Sequence, residues 1–116
     1  MARIPTAPPD LSPASADAWP GLAADLHAIH GGHEADFTLL ANVLRAEDRL
    51  AGVAEAIGLD GVTVTGSKGQ LRPHPLLAVE TVLRREVAEG LDRLRLSPAK
   101  RDAYWKVGRS GRLTVE

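Results

Sequence analysis

The sequence predicts a mainly α fold: a helical hairpin or bundle of three to four helices, with a short β-hairpin between the two long helices. Three observations carry this. Apolar residues recur every three or four positions over three long stretches. Glycine or proline punctuates the ends of those stretches. One segment, GVTVTGSKGQLRPHP at 61–75, breaks the helical spacing with alternating β-branched residues followed by turn residues.

Taken in order, residues 1–16 are rich in Pro, Ala and Ser and offer little to bury, so they are expected to form a disordered tail. Pro8-Pro9 and Pro13 speak against a helix there. A helical domain over 17–107 follows. Its first helix is expected over about 18–30, with Asp17 as N-cap and Pro20 in the first turn. Trp19, Leu22, Leu26 and Ile29 make one apolar stripe, and Gly31-Gly32 ends it. The second helix, about 34–57, carries Leu39, Val43, Ala46, Leu50, Val53 and Ile57 at nearly heptad spacing. Leu40 and Leu44 widen that stripe, and Gly58 supplies an end.

The β-hairpin is expected over about 62–72. Val62-Thr63-Val64-Thr65 has the period of a strand, Gly66 to Gly69 turn the chain, and Gln70-Leu71-Arg72 return until Pro73 stops them. Pro75 suits the first turn of a third helix over 75–95, striped by Leu76, Val79, Leu83, Val87, Leu91 and Leu94. Gly90 lies inside it at a cost of about 1 kcal/mol relative to Ala. Ser97-Pro98 reads as N-cap and first residue of a short fourth helix over 98–107. Residues 108–116 are expected to form a flexible tail with one strand-like piece, Leu113-Thr114-Val115.

Composition narrows the possibilities. The 116 residues include one Phe, one Tyr and two Trp, so Leu, Val and Ala must build the core. Such a core is small, and the stripes on helices two and three exceed what one slim hairpin hides. Association of copies is therefore expected. There is no cysteine, which excludes disulfides and thiolate metal sites. No apolar run suits a signal peptide or a membrane helix, and the expected location is the cytoplasm. The net charge of −1 conceals a split: residues 1–60 carry three basic and nine acidic residues, residues 61–116 eleven basic and six acidic. Such halves can attract each other, or the basic one can meet a polyanion.

Several motifs are set aside on chemistry. GVTVTGSK has two glycines at phosphate-loop spacing, but Ser67 precedes Lys68 and no helix follows to cradle a phosphate. His27, His30 and His33 recur every third residue, with Asp36 needed to complete a metal shell. Gly31-Gly32 breaks the helix between them, so no metal is expected. His74, in RPHP, reads as a capping or turn residue. No nucleophile–base pair stands out and nothing calls for a cofactor, so an enzyme is not expected. Arg93 and Arg95 suit the negative end of a helix without any ligand.

The order of features resembles the small subunit of a phage terminase, of the short type found in prophages. DAWPGLAADL is similar to that family's Trp-containing first helix, and DFTLLANVLRAEDRL to its second. VTVTGSKGQLRPHPLL is similar to its V-x-x-x-G-x-x-G-x-x-x-x-x-P-L linker, and LDRLRLSPAKR to its closing L-x-x-L-G-L-T-P-x-x-R, with Arg95 where a glycine is common. The resemblance spans about residues 17–104. It implies a non-catalytic DNA-packaging adaptor that assembles into rings, recognises double-stranded viral DNA and regulates the large terminase subunit, which holds the ATPase and nuclease.

On that reading Lys68, Arg72, Lys100, Arg101, Lys106, Arg109 and Arg112 are candidates for DNA phosphate contact. Leu39, Val43, Leu50, Ile57, Val79, Leu83, Val87 and Leu91 are candidates for packing within and between copies. Tyr104, Trp105, Leu113 and Val115 are candidates for docking the large subunit, by aromatic anchoring or strand addition. The alternative is a small helical interaction or regulatory module, antitoxin-like, with no nucleic-acid role.

Overall fold

The computed structural model describes residues 4–96. It contains three helices and one two-stranded sheet: α1 (Pro13–His30), α2 (Glu34–Asp60), β1 (Thr63–Thr65), β2 (Leu71–Pro73) and α3 (Leu76–Arg93). The fourth helix expected over 98–107 and the tail at 108–116 lie outside the described residues. Helices α2 and α3 form an antiparallel pair joined by the β-hairpin, and α1 lies against the first half of α2.

Helix α1 begins earlier than expected. Ser12, not Asp17, is the N-cap: its backbone is extended and its side chain accepts the Ser15 N–H at 3.1 Å. Pro13 does not forbid the helix but opens it, where a missing N–H costs nothing. Pro20 consequently lies inside the helix rather than in its first turn, and the Ala16 carbonyl forgoes its helical partner. Trp19, Ala23 and Leu26, all buried, hold that helix against α2. At its end Gly31 takes φ 82° and returns its N–H to the His27 carbonyl.

Nor is the segment before α1 a loose tail from residue 4 onward. Leu11 is buried in the core, and Trp19 Nε1 donates to the Pro5 carbonyl at 2.8 Å. The Arg45 guanidinium holds both oxygens of Asp10, at 2.7 and 3.1 Å. Asp48, on α2, accepts from Ser12 N, Ser12 Oγ and Ser15 Oγ at 2.9, 2.6 and 2.5 Å. Burial works to raise the Asp48 carboxyl, but the Ser12 and Ser15 hydrogen bonds outweigh it and hold the carboxyl below its usual range. Composition suggested disorder because these partners sit more than thirty residues away, on another helix.

Helix α2 runs three residues past its expected end. A single glycine does not stop a helix; Gly58 is passed through, and the chain leaves at Gly61, whose φ is 85°. The two faces of α2 bury different partners. Phe37, Leu40, Ala41 and Leu44 join Leu11, Trp19, Ala23 and Leu26, closed at one end by Leu94 and Leu96. Val43 and Ala46 meet Leu83 and Val87 of α3, with Leu50, Val53 and Leu91 packed alongside. Each fully buried leucine contributes about 1.5–3 kcal/mol. Trp19 and Phe37 meet with ring centroids 6.5 Å apart.

Gly90 is explained by this contact. A Cβ there would overlap Val43 Cγ2, so the missing side chain lets α2 and α3 approach closely. Helix α3 then ends at Arg93, two residues short of expectation, in a Schellman arrangement. Leu96 N–H reaches the Leu91 carbonyl at 2.7 Å, Arg95 N–H reaches Asp92 at 3.0 Å, and Arg95 takes φ 60°. The position at which the resemblance favours glycine is thus a left-handed one.

Candidate functional site

The end of the molecule where α2, the β-hairpin and α3 meet gathers the exposed chemistry. Strands β1 and β2 pair antiparallel, with Thr63 opposite Pro73, Val64 opposite Arg72 and Thr65 opposite Leu71. Gly66 N–H donates to Gln70 O, and Gly69, at φ 81°, returns its N–H to Gly66 O. A Cβ on Gly66 would meet only the outer atoms of the Arg72 and Gln70 side chains, both exposed and able to move aside, whereas Gly69 holds a left-handed backbone. Lys68 stands exposed at the tip, and Arg72 stands exposed on β2.

His74 fixes this hairpin on the helices. It is 6 % exposed. Its N–H donates to Val62 O at 2.8 Å, extending the ladder by one rung. Its carbonyl accepts from Leu77, and its Nδ1 accepts the Leu76 N–H at 3.0 Å, capping α3. Because Nδ1 is an acceptor, Nε2 carries the ring proton and donates to Asp60 at 2.9 Å, at the end of α2. One side chain therefore ties together the end of α2, the hairpin and the start of α3. Beneath the hairpin runs a groove of about 590 Å³, walled by Val64, Pro73, Pro75, Leu77 and Ala78, with Arg72 on its lining.

The apolar residues expected to pack between copies divide into groups. Val43, Ile57, Leu83 and Val87 are buried inside one chain, and Leu39, Leu50 and Leu91 are half-buried. Val79 is exposed. What stays open is the distal end: Leu59 is 81 % exposed, Leu71 75 %, Val62 61 % and Val82 50 %. Sequence spacing overlooked the first three because they fall outside every stripe. Leu59 follows Ile57 by two residues, a step that leaves the helical face, and this is the signal that could have marked it.

Lys100, Arg101, Lys106, Arg109, Arg112, Tyr104, Trp105, Leu113 and Val115 lie outside the described residues. The three histidines of 27–33 are not brought together: His30 Nε2 meets the Leu94 carbonyl at 2.8 Å, bracing α1 against the end of α3. Among the described residues no three His, Asp or Glu side chains are grouped to hold a metal ion, and no helix is long and apolar enough to cross a membrane.

No curated protein and no solved structure matches the chain. The family described as "Phage terminase, small subunit" matches residues 15–108, which takes in α1, α2, the hairpin and α3. With most of its length so matched, the chain belongs to the phage terminase small subunit family, whose place is in phage DNA packaging.

Proposed function

We propose that this chain is a non-catalytic adaptor of the packaging machinery: it recognises viral double-stranded DNA, assembles with copies of itself into a ring and regulates the large ATPase/nuclease subunit in the bacterial host cytoplasm. The observation that carries the reading is the family match over 15–108. The distribution of charge supports it. The basic second half supplies cations to a phosphate backbone, and the acidic first half supplies a surface that a neighbour's basic half can meet head to tail. Lys68 and Arg72 project from the hairpin, and among the described residues no hydrogen bond or ion pair uses their charges, which suits contact with phosphates.

Phosphate contacts of this kind depend on salt, because each one releases condensed counterions. In mobility-shift titrations on duplex DNA across salt concentrations, the double variant Lys68→Glu/Arg72→Glu is expected to bind more weakly. Its log–log salt slope should be shallower by about 2, at roughly 0.9 per phosphate contact. Charge reversal at Lys100 and Arg101 should do the same. Wild-type protein that fails to shift DNA at low salt contradicts the DNA-binding reading. An unchanged slope in either double variant removes those two residues from the contact.

A further inference from the structure

Among the described residues, His74 is the one ionisable side chain that is buried. Its two ring nitrogens have different duties. Nδ1 accepts the Leu76 N–H at 3.0 Å, and a backbone N–H only donates, so this bond to α3 requires the neutral ring. Nε2 donates to Asp60 at 2.9 Å, as a charged imidazolium also does. Protonation therefore removes the bond to α3 and keeps the bond to α2. Of the charged groups around the ring, Asp60 of α2 attracts an imidazolium, and Arg72 of β2, which lines the same groove, repels it. Helix α3 contributes only Leu77 and Ala78 to that groove and has no acidic residue in its first turn.

Little else fixes the direction of the hairpin. Of residues 62–73 only Val64 and Gly66 are half-buried, and the rest are exposed. The groove of about 590 Å³ beneath the hairpin leaves it room to tilt. Pro73 and Pro75 lock φ on either side of His74, which concentrates the freedom of the joint at His74 itself. Lys68 lies about 15 Å beyond it along the hairpin. A tilt of about 20° carries that ammonium about 5 Å, more than the length of a phosphate hydrogen bond. We propose that His74 is the positioning residue of the basic hairpin: its neutral ring holds Lys68 and Arg72 at the angle that meets phosphate, and a proton taken up at Nδ1 releases the hairpin from α3 and withdraws both cations. This rests on the DNA reading above and names a control on it. Its sign is opposite to that of bare charge, because an added cation by itself strengthens binding to a polyanion.

The test uses the full-length chain on duplex DNA at about pH 8 and about pH 5, which bracket the ordinary titration of an imidazole. The quantity read is the difference in log–log salt slope between a protein and the same protein carrying Lys68→Glu/Arg72→Glu, so that charging of His27, His30 and His33 cancels. For the wild type this difference should be about 2 at the higher pH and less than half of that at the lower. His74→Asn places an amide oxygen where Nδ1 stands, caps α3 without titrating, and should keep the full difference at both. His74→Ala should show less than half of it at both. Hydrogen exchange at the Leu76 amide, corrected for its intrinsic rate, reads the joint without DNA: protection is expected in the wild type at the higher pH and in His74→Asn at both, and its loss in the wild type at the lower pH and in His74→Ala. A full difference in His74→Ala, or a loss on acidification in His74→Asn equal to that of the wild type, overturns the positioning role while DNA binding stands. Leu76 protection unchanged by pH in the wild type overturns the proton control. Wild-type protein that shifts no DNA at either pH overturns the DNA reading and this one with it.

Discussion

Arg95 shows how one side chain records a backbone demand. An L-residue in the left-handed region costs about 1–2 kcal/mol, yet Arg95 holds φ 60° because Leu96 and its own N–H close the end of α3, and Leu96 is sealed into the core. Arg95→Gly removes that strain while adding freedom to the unfolded chain. The expected result is a net gain of about 0.5–1 kcal/mol in urea unfolding. A loss of stability would mean that the guanidinium contributes a contact worth more than the strain. Asp48 illustrates the opposite economy: a half-buried carboxylate is stable there because three donors converge on it from Ser12 and Ser15.

Among elements, the α2–α3 pair is set by a glycine. Replacing Gly90 by Ala should gain about 1 kcal/mol of helix propensity, but the new methyl group overlaps Val43, and overpacking costs about 1–3 kcal/mol. Gly90→Ala is therefore expected to lower the melting temperature by several degrees, at about 4–8 °C per kcal/mol for a domain of this size. In a Val43→Ala background the overlap is gone, and the same substitution should become stabilising. A double-mutant cycle reads this coupling directly; additive effects would mean that the helices part freely. The periodicity of the long helices, the hairpin between them and the stop at Gly31 were legible in the sequence, since each depends on neighbours within four residues. The start of α1 was legible too and was missed. Ser12-Pro13 has the same N-cap and first-turn grammar as Ser97-Pro98, but the surrounding Pro/Ala-rich composition masked it. The clasp of Asp10 by Arg45, the brace from His30 to Leu94 and the His74 hub were not legible in detail. They join residues whose proximity is decided only once the helices pack.

At the scale of the whole molecule, α1 and the segment before it cover one end of the α2–α3 pair and leave the other bare. The heptad-like ridges did not remain open along their length, as their spacing alone suggested; Val43, Leu83 and Val87 close on one another within a chain. The exposed apolar side chains instead include Leu59, Val62 and Leu71 around the hairpin and Val79 and Val82 on α3. It is this end that we propose brings copies together in the packaging assembly. The most direct measurement is the mass of the native chain by light scattering over a range of concentrations, beside that of Leu59→Glu/Leu71→Glu, whose substitutions fall at exposed positions. The expected result is a native mass several times 12.3 kDa and a variant shifted to smaller species with its helix content intact. A native chain that stays at 12.3 kDa at every concentration, or a variant that assembles as fully as the native chain, contradicts it.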